Sequence, residues 1–231
     1  MNQFESQALY TLCAGERLCL HPSRVMYWPR LRILFAADVH AGKEHVFGRQ
    51  GIALPGGISE AGLQQLFSLA AQAGAQKLVI LGDFMHALPS SGESWLGELS
   101  RLLDCFPHLQ VEVIAGNHDK AEGQRMVDSR VKWFSEPQIV GPFVLQHEPR
   151  ADSRGFVLSG HLHPAWRIGQ RRRGSIRTPV FWMRQSYAVL PAYGEFTGGR
   201  VVEADSLTDR LYMVTPEAVI EVPADSHHRR Q

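Results

Sequence analysis

The sequence predicts an α/β fold in which two β-sheets pack face to face with helices outside. Three observations predict it. Short apolar runs stop abruptly at polar residues, as strands buried on both faces do. Helical segments separate the first three runs, the pattern of a parallel sheet with right-handed crossovers. Beyond about residue 130 the runs shorten, are split by Pro and Gly, and have no long amphipathic helix between them, which reads as a mostly antiparallel sheet.

Taken in order, residues 1–30 mix short apolar pieces with Gly15, His21 and Pro22, which suits one or two edge strands. The run 31–37 is apolar except for Arg32 and stops at Asp38, Val39 and His40. A loop punctuated by Gly42, Gly48, Gly51, Gly56 and Gly57 follows. Ser59 is placed to N-cap a helix carrying Leu63, Leu66, Phe67, Leu69 and Ala70, and Gly74 to end it. The strand 77–81 stops at Gly82 and Asp83, a helix covers 93–105 with Pro107 past its end, and the strand 110–115 runs into Gly116, Asn117, His118 and Asp119. Later strands are expected at 131–134, 141–146, 156–159 and 180–190.

The 231 residues suffice for one large domain with a buried core, expected over 1–225, with 226–231 a frayed polar tail. A formal net charge of +1 neither proposes nor excludes a polyanionic partner. Cys13, Cys19 and Cys105 are odd in number and lack C-x-x-C spacing, so they read as reduced thiols of a cytoplasmic protein. The N-terminus lacks the basic and apolar regions of a signal peptide, and no apolar run reaches the roughly 18–20 residues of a membrane span. The expectation is a soluble protein with no membrane partner.

Chemistry-bearing residues gather where strands end. Asp38 and His40 follow the first strand, Asp83 the second, Asn117 and His118 the third. His147 follows the run ending at Gln146, and His161 and His163 the one ending at Ser159. Ligands of open α/β sheets bind outside the carboxyl ends of strands. Imidazole and carboxylate together suit borderline divalent metals, and in Asp-x-His and His-x-His the intervening loop residue lets both side chains face one centre. A lone strand-end histidine is more often a satisfied polar residue; Asp38, His40, Asp83, Asn117, His147, His161 and His163 together reverse that expectation.

Asp38-Val39-His40, Gly82-Asp83, Gly116-Asn117-His118-Asp119, His147 and Gly160-His161-Leu162-His163 resemble, in order and spacing, the five motifs of the calcineurin-like metallophosphoesterases. The resemblance implies a sandwich of two mixed β-sheets flanked by α-helices, in agreement with the pattern above. It implies two divalent metals, Mn2+ foremost with Fe, Zn or Ni as alternatives. Asp38, His40 and His163 would hold the first, Asn117, His147 and His161 the second, and Asp83 would bridge them. A hydroxide between the metals would attack the phosphoester, with His118 as the acid and Asp119 orienting it. Two dications, two aspartates and a hydroxide leave about one positive charge, which favours a phosphodiester anion.

Several neighbours carry two readings. His86 is a substrate contact or a plain loop residue. Lys43, Glu44, His45 and Arg49 form a solvated loop or clamp phosphate. Asp119 orients His118 or caps a helix. Arg171, Arg172 and Arg173 grip a nucleic-acid backbone or lie at a solvated hairpin tip, and Trp166 and Trp182 beside them stack on bases or pack the core. Beyond the metal motifs, the loop 42–57, Gly82 to His86, the closing 190–194 and 196–199 are similar to the bacterial DNA-ligase-associated DNA damage response endonucleases. That likeness implies a DNA phosphodiesterase acting with a ligase, a helicase and an exonuclease of repair. The rivals are a phosphoesterase for cyclic nucleotides, other small diesters or phosphoproteins, and a scaffold of the same fold that has lost catalysis.

Overall fold

Alternate residues of the central strands face opposite ways, and both ways are buried. In β4 (Ile33–Ala36) and β5 (Lys77–Leu81), Leu34, Ala36, Leu78 and Ile80 pack under helices, while Ile33, Phe35, Val79 and Leu81 meet a second sheet. That double burial is why these strands read as continuous apolar runs. The structure, a computed structural model, describes residues 3–170 and 174–224. Arg171, Arg172 and Arg173 and the tail 226–231 lie outside the described residues.

The first sheet holds seven strands in chain order. After a short helix, α1 (Gln3–Gln7), come the antiparallel strands β1 (Leu9–Cys13), β2 (Glu16–Leu20) and β3 (Met26–Trp28), three where one or two were expected. Then β4, β5, β6 (Gln110–Ile114) and β7 (Val131–Phe134) run parallel. The crossovers carry α2 (Lys43–Arg49), α3 (Ile58–Ala73), α4 (Ser94–Cys105) and the single turn α5 (Ala121–Gln124). On α3, Leu63, Leu66, Phe67 and Ala70 recur at helical spacing and pack with Leu99, Leu102 and Leu103 of α4 over the sheet.

The second sheet holds nine strands: β8 (Gln138–Val140), β9 (Phe143–Leu145), β10 (Phe156–Ser159), β11 (Pro164–Gln170), β12 (Gly174–Met183), β13 (Tyr187–Val189), β14 (Arg200–Val201), β15 (Arg210–Val214) and β16 (Val219–Val222). Its inner face contributes Phe143, Leu145, Leu158, Phe181 and Tyr212 to the core shared with β4 and β5. Trp182 packs on this sheet and donates to Asp209 (3.0 Å), and Trp166 packs beside it, so both take the core reading.

Four expectations need correction. The loop 42–57 contains a helix, α2. Ser59 does not cap α3: Gly57 does, in the left-handed conformation, while the Ser59 hydroxyl donates to Glu44 (2.6 Å) and accepts the Gly42 amide (2.8 Å). The strand 131–134 belongs to the first sheet, parallel to β6. The run 180–190 is the end of β12, a turn and β13. The second sheet is antiparallel at β8–β9, β11–β12, β12–β13, β12–β15 and β15–β16, but β9–β10, β10–β13 and β11–β14 are parallel. All three cysteines are free. No helix among the described residues is long and apolar enough to cross a membrane.

Candidate metal centre

Chain segments leaving the carboxyl ends of β4, β5, β6, β9 and β10 meet at one edge of the sandwich. The β4 and β5 loops continue their strands' pairing, through the amide of Asp38 on the Gly82 carbonyl (3.1 Å) and that of His40 on the Asp83 carbonyl (2.9 Å). The β10 loop is tied in when the His161 amide donates to both Asp38 carboxylate oxygens (3.0 and 2.9 Å), and when the Gly160 amide donates to the His147 carbonyl (3.1 Å). Asp83 reaches the β6 loop by accepting the His118 amide (2.9 Å).

The outcome is two adjoining sets of donor atoms, each within 4.8 Å: Asp38, His40 and His163 in one, Asp83, His147 and His161 in the other. Asn117 joins the second, its Oδ1 2.9 Å from His147 Nε2. A third set, His40, His86 and His118, shares His40 with the first.

Such crowding strains the backbone. Nine non-glycine residues among those described have positive φ, and five of them are Asp38, His40, Asp83, His161 and His163. Residues with a Cβ occupy that region at a cost, and strain of this kind gathers at functional sites. Glycines make the approach of the loops possible. A Cβ on Gly82 would lie 2.0 Å from His147 Nδ1, one on Gly116 2.4 Å from Asp83 Oδ1, and one on Gly160 2.6 Å from Asp38 Oδ2.

Main-chain carbonyls orient the imidazoles. His147 Nδ1 lies 3.2 Å from the Leu81 carbonyl and His163 Nδ1 3.2 Å from that of Thr197, so each ring donates there and turns the lone pair of Nε2 into the cluster. Each faces a ring nitrogen of another histidine. His147 Nε2 stands 3.0 Å from His161 Nδ1, and His163 Nε2 3.4 Å from His40 Nε2. Donors about 2.1 Å from one ion stand roughly 3 Å apart when adjacent in its shell, so the spacing fits nitrogen ligands of a divalent metal.

The charges agree. Asp38 is wholly buried and Asp83 nearly so, and a buried carboxylate needs a compensating cation. Burial opposes a charge on His147, yet the hydrogen bond and field of Asp83, with the field of Asp38, outweigh it and lift its pKa to about 9. Burial opposes the charge of Asp83 too, but His147 and the His118 amide and ring hold its pKa below the usual range. The carboxylates that favour a proton on His147 would favour a metal cation in its place. On His40, burial outweighs the Asp83 field and drives the pKa down, keeping the imidazole neutral, as a ligand must be.

Other candidates fare differently. Asp119 does not orient His118, nor does it cap α5, whose N-cap is Lys120. Its buried carboxylate accepts the amides of Phe84 (3.2 Å), Met85 (2.9 Å) and Gly116 (2.9 Å), joining the β5 and β6 loops. His118 Nδ1 instead lies 2.7 Å from the His86 carbonyl, and the His86 ring stacks on that of His118 with centroids 5.5 Å apart. His86 therefore belongs to the cluster; its position three residues after Asp83 was the signal. Arg49 is held by Glu93 (3.1 Å). Lys43 and Glu44 are buried rather than solvated.

The family model of the calcineurin-like phosphoesterases matches residues 31–204. Among solved structures, the chain is similar to a nuclease of Pseudomonas putida, MPE, at 34% identity over 93% of this chain and 100% of that one, with a TM-score of 0.79. It is also similar to Yfce, a phosphoesterase from E. coli, at 16% identity over 83% of this chain and 98% of that one, with a TM-score of 0.46. Comparison with curated proteins gives no match.

Proposed function

The chain belongs to the calcineurin-like phosphoesterase family and is a metal-dependent phosphoester hydrolase, and we propose that it cleaves phosphodiesters of nucleic acid, DNA foremost, as a nuclease of DNA repair. The observation that carries the reading is the pair of donor sets that share one strained edge. In it, Asp38, His40 and His163 would hold one divalent ion, Asn117, His147 and His161 would hold a second, and Asp83 would serve both. Imidazoles mixed with carboxylates and an amide suit Mn2+, and also Fe, Zn or Ni. When bound, the ions polarise phosphoryl oxygens and acidify water.

The protein's own groups supply the rest. His118 donates from Nδ1 to the His86 carbonyl, which leaves Nε2 facing the cluster, 4.0 Å from Asp83 Oδ2. A proton held on that nitrogen is delivered to the leaving oxygen, or hydrogen-bonds the phosphoryl group as charge builds on it. Asp119 fixes the loops that carry Asp83 and His118 and does not itself touch the reaction.

Two observations favour nucleic acid over a small diester. The P. putida relative is a nuclease over nearly the same length. Arg167 and Arg177 also lie directly opposite each other across β11–β12, a few residues past His163. Like charges across a sheet repel, and a bound polyphosphate backbone relieves that repulsion. The role in repair, with ligase, helicase and exonuclease partners, rests on the sequence resemblance alone.

The test is a screen of Mn2+, Fe2+, Zn2+ and Ni2+ against bis-p-nitrophenyl phosphate, single-stranded DNA, duplex DNA, RNA and 2′,3′-cyclic nucleotides. Metal-dependent cleavage of DNA is expected. Turnover of cyclic nucleotides with none of any polynucleotide would assign the centre to small diesters instead.

A further inference from the structure

Beside the metal cluster lies a cavity that hydrolysis itself does not need. It encloses about 240 Å³ between His40, Lys43, Leu54, Ile58, Tyr193 and Phe196. His40 forms its inner end, and its walls are mainly apolar. A metal shell would gain nothing from such walls, whereas a planar ring fits them.

Two residues give this cavity a more particular chemistry. Lys43 is 8% exposed, and its ammonium donates to the Phe196 carbonyl (2.6 Å). An ammonium has three donors; besides that carbonyl, Lys43 lies over the Phe47 ring, 5.6 Å from its centroid, and it forms no ion pair to a carboxylate among the described residues. A buried cation left so is fitted to an anion brought by a ligand. At the mouth, Phe196 is 57% exposed with φ of 55°. An aromatic ring more than half exposed adds little to the core, and backbone outliers of this kind persist only where their surroundings enforce them.

The surroundings do so here, and they are the metal cluster. Two residues before Phe196, the Gly194 amide donates to the Asp38 carbonyl (3.0 Å), and a Cβ on Gly194 would lie 2.3 Å from the Val39 carbonyl oxygen. One residue after it, the Thr197 carbonyl orients His163. The turn bearing Phe196 is therefore anchored beside both Asp38 and His163, which places Phe196 next to the metal cluster.

We propose that this cavity is a nucleotide subsite, in which the base next to the cleaved phosphodiester stacks on the Phe196 ring while Lys43 binds a phosphate oxygen of the same nucleotide. The proposal deepens the nucleic-acid reading and rests on it. Stacking on an aromatic ring is available to every base, so the subsite selects for a base at that position and against a diester that has none, without selecting sequence.

The experiment pairs enzyme variants with single-stranded DNA oligonucleotides carrying one abasic residue on either side of a mapped cut. At one of the two positions, removing the base should lower kcat/KM of the unaltered protein between about fivefold and a hundredfold, the range that one stacked base contributes. The same abasic substrate should cost Phe196→Ala nothing beyond its loss on intact DNA, and Phe196→Tyr should restore sensitivity to the missing base. Lys43→Gln should raise KM for the oligonucleotide. Equal sensitivity of the unaltered protein and Phe196→Ala to the abasic residue overturns the proposal, as does indifference of both. A protein that hydrolyses bis-p-nitrophenyl phosphate but cuts no oligonucleotide removes the nuclease reading itself, a failure distinct from these.

Discussion

The two sheets reach the metal cluster by different routes. In the first, β4, β5 and β6 are parallel, are joined by helices, and deliver Asp38, His40, Asp83, Asn117 and His118 from their carboxyl ends. In the second, β9 and β10 are also parallel and deliver His147, His161 and His163 from the same ends, yet only residues 146–155 join them, without a helix. Parallel neighbours usually need a longer crossover. Here the Gln146 amide group donates to the carbonyls of Glu148 (2.6 Å) and Arg150 (2.7 Å) and folds the connection tightly. The difference teaches that parallel strands sharing an edge make this site, and that helices are only the commoner way to obtain them.

The largest test of that comparison is Asp83→Ala. Asp83 comes from the first sheet and its Oδ2 lies 3.3 Å from His147 Nε2 of the second. If both routes end at one centre, the substitution should lower Mn2+-dependent hydrolysis of bis-p-nitrophenyl phosphate by more than about a hundredfold, beyond what outer-shell changes cost. The melting transition should persist. Turnover equal to that of the unaltered protein would break the comparison outright.

Next in size is Gly160→Ala, which presses the β10 loop against the first sheet. Its Cβ would meet Ala37 Cβ at 2.7 Å and the Leu81 carbonyl oxygen at 2.9 Å, neither of them free to move. Overpacking of this kind costs roughly 1–3 kcal/mol, and here it also displaces Asp38. Urea denaturation should show the loss of stability, and activity should fall with it.

Legibility followed the same divide. The positions that meet in the cluster could be read because each apolar run stops at one of them: Ala37 gives way to Asp38, Leu81 to Gly82 and Asp83, Ser159 to Gly160 and His161. The parallel pairing of β9 with β10 could not, since no helical periodicity between them announced it. Nor could the parallel pairing with β6 of β7, itself expected as a strand at 131–134, across a segment containing only the single turn α5. The role expected of Asp119 failed for a related reason: adjacency to His118 in the chain placed their backbones together, while folding turned the carboxylate toward the amides of Phe84 and Met85. Burial of Lys43 and Glu44 was hidden because two charged residues after a glycine read as solvent-facing, and only the contacts of Glu44 with Ser59 and of Lys43 with the Phe196 carbonyl show otherwise.

A smaller effect separates strand ends that build the site from those that do not. His21 follows β2, an antiparallel strand, and stays out of the cluster. It stacks on Phe4 with centroids 4.3 Å apart, accepts the Ser23 amide on Nδ1 (3.1 Å), and its Nε2 has no hydrogen-bond partner among the described residues. Burial pushes its pKa down to about 4. Since the folded value lies below the unfolded one, its contribution to stability is full above about pH 6.5 and is lost as pH falls toward 4. Between pH 7 and pH 5 the loss should be about 2 kcal/mol, read as the difference between this protein and His21→Phe in denaturation at each pH. Identical pH slopes for the two would mean that His21 takes up a proton as readily folded as unfolded.

The smallest prediction uses the same substitution as the second, at a place where the added methyl touches neither sheet nor site. Gly97 lies inside α4, and an added Cβ would meet nothing within 4 Å. A glycine within a helix destabilises it by roughly 0.5–1 kcal/mol relative to alanine, chiefly through the freedom it loses on folding. Gly97→Ala should therefore raise the urea midpoint slightly and leave turnover unchanged, while Gly160→Ala lowers both. Opposite signs from one chemical change would place the cost at Gly160 in the meeting of the two sheets rather than in the loss of a glycine. If Gly97→Ala were as damaging as Gly160→Ala, crowding at the strand ends would no longer account for the glycine beside Asp38.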